Sequence, residues 1–406
     1  MPESQDTTAN SSTPIFDSGV LPPRTSQITL QSLLLGFLIG TVPFLSAVIL
    51  IMAGRQGNDS LDVSLLSACL VLVVATFVHE AGHLLAGWAV GFRFSRIQLG
   101  PLSLSIAQGR LRVRLREMTA LGYAGMHVNR LRRLRRRMLI FLAAGPATNL
   151  LSLLVMVLLL YFFPQLINAW VAIPAAQFAV VSCLLGMLSL WPFPSTGSSD
   201  GARIMMLLRS RDRARRWLNI LALIHAHDQG TPVKLCKNSW LRAASSLNDA
   251  SRDNFRGNWL AYISANGRDN APIAALHLEK CLELARLLPR STRDVLALES
   301  TVFAAWFRND ALLADKWFAQ LQKPNRVTRL AKIRVGIATS CARRDFHNAK
   351  KEWQDGLAYI DRAKKVNSQK LLKESWLGWR AEILEREVRP PVMDGRYTVH
   401  SCSTET

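Results

Sequence analysis

Four long apolar runs crowd into the first 192 residues of this 406-residue chain, and the remainder carries hydrophobic positions at helical spacing. A bilayer core of roughly 30 Å needs about 20 apolar residues in a helix. Residues 29–53, 63–91, 138–163 and 166–191 meet that length. The pattern predicts four transmembrane helices, with short links at 54–62 and 164–166. The connection at 92–137 alternates instead. Leu102, Leu104 and Ile106 interleave with Ser103 and Ser105; after Gln108-Gly109, Leu111, Val113 and Leu115 interleave with Arg110, Arg112, Arg114 and Arg116. Period-two patterning about a glycine turn predicts a small β-hairpin, lying on a membrane surface with its arginines among headgroups.

Beyond Ser210 the pattern is that of a soluble all-α domain. Cys281, Trp317 and Trp353 are spaced 36 apart, as are Ala285, Leu321 and Leu357. A polar turn precedes each copy: Arg268-Asp269-Asn270, Arg308-Asn309-Asp310 and Arg344-Asp345. Asp and Asn there are good N-caps. Helices near 255–266, 296–307 and 328–343 should pair with those that follow, as in tetratricopeptide-type hairpins of about 34 residues; a plain helical bundle is the alternative. The expected organisation is a disordered tail at 1–28, a membrane domain at 29–210, a helical repeat-like domain at 211–387 and a second tail at 388–406.

Charge fixes an orientation. The net charge is +21, yet residues 1–210 hold sixteen Arg and no Lys, and twelve of those Arg lie in 92–137 beside one acid, Glu117. Excess Arg near helix ends marks the cytoplasmic side. The N-terminus, the 92–137 loop and everything after Trp191 are therefore expected in the cytoplasm. Because the basic excess sits beside membrane segments, meets anionic lipid there and accompanies no nucleic-acid-binding signature, nucleic acid is not the expected partner. The first 27 residues carry no basic stretch ahead of an apolar core, which is not a signal-peptide pattern. Six widely spaced cysteines form no CxxC pair, the usage of reduced structural thiols.

The apolar run at 63–91 contains His79-Glu80-Ala81-Gly82-His83. Positions i and i+4 share one helical face, so both imidazoles can reach one metal ion while Glu80 takes a proton from metal-activated water. Three ionisable groups in one membrane helix are costly and need partners of comparable value, which a metal supplies. A third ligand is then required. Asp200, in the Pro- and Gly-rich stretch from Pro192 to Gly201, is the best candidate, its alternative being a helix N-cap. At about 1.5 Å per residue, His83 and Gly145 both lie roughly 10 Å below the cytoplasmic surface, and the stretch after Trp191 can fold back to that level. Gly145-Pro146-Ala147-Thr148-Asn149 is read either as close helix packing with a Pro kink or as presenting Asn149 to a bound peptide.

HEAGH in one membrane helix, GPATN in a later one and a Pro-rich stretch ending in Asp-Gly, in that order, resemble the site-2 protease family of intramembrane metallopeptidases, in a bacterial branch. The resemblance spans about residues 60–210. It implies Zn2+ held by His79, His83 and Asp200, Glu80 as catalytic base, and Asn149 as a substrate or transition-state contact. Where the family has a substrate-clamping Asn, three residues before the first Pro of that stretch, this chain has Ser189, a shorter group in the same substrate-binding position. The implied substrate is a membrane-embedded helix or signal-peptide remnant, in a bacterial inner membrane. The hairpin then gains a sharper reading, as an edge strand for an extended substrate. Residues 211–387 are expected to dock a cytosolic protein partner. The rival from another class is a membrane-anchored, non-proteolytic scaffold with a vestigial metal site.

Overall fold

The computed structural model describes residues 14–23, 58–107, 110–115, 122–163, 169–192, 199–322, 327–362 and 367–388. The predicted first span at 29–53, the links at 54–57 and 164–166 and the tail at 389–406 lie outside them. Two compact units emerge, Ser26–His225 and a second that joins Met1–Thr25 to Ala226–Thr406.

In the first unit, α1 (Ile15–Ser18) being set aside for the second, helix α2 (Asn58–Ala89) carries the HEAGH motif. A four-stranded antiparallel sheet follows: β1 (Arg93–Leu99), β2 (Leu102–Ala107), β3 (Arg110–Leu115) and β4 (Gly122–His127), in the order β3-β2-β1-β4. The predicted hairpin is β2–β3, with Ser103 opposite Arg114 and Leu104 opposite Val113. Sequence patterning missed β1 and β4. Helices α3 (Leu134–Phe162) and α4 (Ala169–Leu190) pack on α2 and on each other, and α5 (Asp200–Arg209) and α6 (Arg211–Asp228) follow. Among the described residues, two helical segments, Ser67–Ala89 and Leu134–Leu159, are long and apolar enough to cross a membrane, and Pro174–Leu190 is a shorter apolar helix. Their polar exceptions are turned inward: His79, Glu80, His83 and Asn149 are buried, while Leu70, Val73, Phe77, Leu151, Leu154 and Tyr161 are exposed.

The first compact unit runs past the expected boundary at residue 210. Ala214 and Trp217 of α6 bury in one apolar cluster with Phe92, Leu134, Met138 and Phe141, so the membrane-side unit continues to His225.

The second unit is helical. After α7 (Asn238–Ala244) come α8 (Arg252–Asn266), α9 (Ala271–Glu283), α10 (Arg290–Phe307), α11 (Ala311–Ala319), α12 (Arg329–Ala342), α13 (Phe346–Arg362) and α14 (Asn367–Val388). Three hairpins, α8–α9, α10–α11 and α12–α13, turn at the polar triplets read from the sequence. Asp269, Asn309 and Arg344 take positive φ there, and the next residue caps the following helix: Asn270 accepts from Ile273 N–H, Asp310 from Leu313 N–H and Asp345 from Asn348 N–H. The 36-spaced residues Cys281, Trp317 and Trp353 are all buried in one core. The expected N-terminal tail is corrected at residues 14–23. Phe16 is only 4% exposed and Leu21 7%, both inside that same core, because an aromatic and a leucine find apolar cover on the helical hairpins.

Candidate metal centre

The i, i+4 spacing on α2 puts the imidazoles of His79 and His83 on one face, ring centroids 4.9 Å apart. Asp200 reaches them from the first turn of α5. Its Oδ2 lies 3.3 Å from His79 Nε2 and 3.4 Å from His83 Nε2. The N-cap alternative for Asp200 falls away, since Ser199 caps α5 by accepting from Ala202 N–H and leaves the Asp200 carboxylate free to face the histidines.

Each ligand candidate is aimed by a neighbour. His83 Nδ1 donates to the Phe141 carbonyl at 2.7 Å, which leaves the Nε2 lone pair toward Asp200. His79 Nδ1 lies 3.3 Å from Asn149 Nδ2, and Asn149 Oδ1 is buried with no hydrogen-bond partner. With that amide turned over, Oδ1 accepts from His79 Nδ1–H, which frees His79 Nε2 for a cation. Gly145 allows this packing, because a Cβ there would overlap the His83 ring.

Glu80 is 6% exposed and stands beside this cluster without belonging to it. Strand β4 comes up against it. The Glu80 carboxylate accepts a backbone hydrogen bond from Ala124, and a Cβ on Gly122 would overlap Glu80 Oε1. Ser189, in the last turn of α4, donates to the Gly186 carbonyl at 3.1 Å, a bond within its own helix.

The three donor atoms lie within 4.8 Å of one another, a group that can hold a metal ion. Two imidazole nitrogens and a carboxylate oxygen are a borderline-hard donor set. A tetrahedral ion with bonds of about 2.0–2.1 Å sets its ligands roughly 3.3–3.4 Å apart, which the Asp200–His separations meet. The residues therefore fit a metal ion such as zinc on donor chemistry, on ring orientation and on the two Asp200–His spacings.

A helix pair that buries HExxH against GPATN is matched by one family model. Residues 67–170 match peptidase family M50. This is the site-2 protease family, whose members are membrane-embedded metallopeptidases and generally zinc-dependent. The M50 match spans α2 with His79, Glu80 and His83, the whole sheet, and α3 with Asn149. It ends before Asp200 and Ser189 and does not reach the second unit. No curated protein and no solved structure matches the chain. Three contributors to this candidate centre were beyond sequence reasoning: the Phe141 carbonyl, the Ala124 amide, and Asn149 as a neighbour of His79. The first two are backbone groups, which leave no trace in residue identity.

Proposed function

We propose that this chain is an intramembrane zinc metalloendopeptidase that hydrolyses peptide bonds in membrane-embedded helices or signal-peptide remnants. The convergence of His79 Nε2, His83 Nε2 and Asp200 Oδ2 next to a buried Glu80 carries the reading. His79, His83 and Asp200 hold the ion; the chemistry zinc supplies when bound is Lewis acidity at the scissile carbonyl and acidification of water. Glu80 takes the proton from the attacking water and passes it to the leaving amine. The Ala124 amide orients its carboxylate. Phe141 and Asn149 hold the two rings, and Asn149 with Ser189 remains the reading for contact with the peptide.

A peptide bond inside a helix is shielded, so the substrate must extend before attack. Strand β4 is an edge of the sheet, and its Ala124 N–H points away from β1 to Glu80. An extended substrate laid along β4 would bring its carbonyls to Glu80. The edge-strand role thus moves from the β2–β3 hairpin to β4. The hairpin's Leu111, Val113 and Leu115 are more than half exposed, which suits contact with lipid.

The test is cleavage of a membrane peptide by the purified protein in detergent. Activity should vanish with a zinc chelator and return on adding zinc. Chelator-resistant cleavage overturns the metal reading, and absence of cleavage by the zinc-loaded protein favours the scaffold.

The second unit bears on topology. Ile15 and Phe16 bond to Glu279, which supports placing residues 14–23 and 226–388 on one side of the membrane. The number of crossings between them is then even, as four spans require. We place that shared side in the cytoplasm of a bacterium, at its inner membrane, on the arginine excess in 92–137. A cysteine at Asn58→Cys should react with an impermeant reagent in intact cells and one at Ala120→Cys should not. The reverse pattern inverts the topology.

A further inference from the structure

Residues 14–21 are bound to the helical unit much as a peptide is bound by a receptor. Glu279 on α9 receives two successive backbone amides, Ile15 N–H at 2.6 Å and Phe16 N–H at 2.9 Å. Trp317 on α11 donates its indole N–H to the Phe16 carbonyl at 3.1 Å. The Phe16 ring stands edge-on to Phe303 at 5.4 Å and stacks on Trp317 at 5.9 Å. Arg308, in the α10–α11 turn, pairs with Asp17 and lies over the Phe16 ring at 4.8 Å. Gly19 then takes φ +67° and passes beside Lys316 and Leu313.

Four groups of the helical unit therefore read a backbone stretch, one aromatic ring and one acid. Those are the elements of motif recognition: main-chain bonds supply affinity and a side-chain pocket with a counter-charge supplies choice. The segment is short, and α1 is a single turn of four residues. Its tether to Glu279 runs 263 residues, through the whole membrane-side unit. Within the helical unit the segment is held by these noncovalent contacts alone, so a free peptide of the same chemistry competes for them. Burial holds the Glu279 carboxyl above its usual range, and the Phe16 and Ile15 N–H bonds offset part of that rise.

We propose that the helical unit is a peptide-recognition module. Its site, formed by Glu279, Phe303, Arg308 and Trp317, takes an aliphatic-aromatic-acidic segment, and residues 14–21 fill it in cis. A protein partner carrying the same chemistry binds by displacing them. This stands whether or not the metal centre is proteolytic.

The probe is a fluorescent peptide of sequence Pro14–Leu21, added to full-length protein in detergent and followed by anisotropy. Three proteins are compared: wild type, Phe16→Ala, and a chain with a specific protease site inserted after Pro23 and cut in the folded state. The peptide should bind the cut chain and Phe16→Ala at least tenfold more tightly than wild type. A peptide with alanine for both Phe16 and Asp17 should not bind, and Glu279→Gln in the cut chain should weaken binding about tenfold. If the cut chain keeps its own segment through gel filtration and exchanges no peptide, the proposal fails. It fails equally if losing the segment unfolds the unit, which would make residues 14–21 part of the core. Should Phe16→Ala alone unfold, the cut chain decides.

Discussion

Glu80→Gln should keep one zinc per chain and lose about 10²–10⁴-fold in cleavage rate, the usual contribution of a general base. Gln preserves the volume of the side chain and an oxygen that can still accept from the Ala124 amide, so the helix and the β4 contact persist. It cannot take a proton. The measurement pairs metal analysis with turnover of a membrane peptide. Intact zinc with near-wild-type turnover would remove Glu80 from the mechanism, whereas loss of both would place Glu80 among the ligands.

Asp200→Ala should abolish metal binding at micromolar zinc, and activity with it. Asp200 supplies the only anionic donor of the three-residue group, and its Oδ2 faces both imidazoles. Two histidines alone leave a site short of the three protein ligands typical of catalytic zinc. Unlike Glu80→Gln, this variant should therefore fail in metal analysis before any assay of turnover. Full zinc occupancy in Asp200→Ala would mean that the third ligand is elsewhere in the chain.

What could be read from the sequence was what is local. His79 and His83 lie four residues apart, so helical geometry alone joins them. Asp200 is 121 residues from His79 and came into view only because chain depth in a bilayer can be counted. The β2–β3 hairpin showed itself by strict alternation. Strand β4, Gly-Tyr-Ala-Gly-Met-His, has the two glycines and few of the branched residues that mark a strand, and it exists because β1 pairs with it. Its part in orienting Glu80 was invisible for the same reason. Residues 14–23 read as a tail because their phenylalanine and leucine, with Ile15 and Val20 beside them and Asp17-Ser18-Gly19 between, set up no period. Only the folded hairpins show what those two side chains fit. In the helical unit the opposite held: positive-φ turns and Asn or Asp caps are short-range signals, and the structure turns at those very triplets.

The Phe16–Trp317 bond also sets an order of events during synthesis. Its partners lie 301 residues apart. The N-terminal strip leaves the ribosome first, yet the tryptophan that receives it is made on the order of 15–60 s later, at about 5–20 residues per second. On the proposed topology, the membrane segments between them must meanwhile be threaded in an even number of crossings, so that residues 14–21 and the helical unit end on one face. A nascent chain inserted with an odd number of crossings puts Phe16 and Trp317 in different compartments, and the site on its helical unit stays empty. Seating of one aromatic ring thereby makes the filling of the Glu279–Trp317 site depend on correct threading of the membrane part, and mis-threaded chains would be left with that site open and its apolar lining exposed.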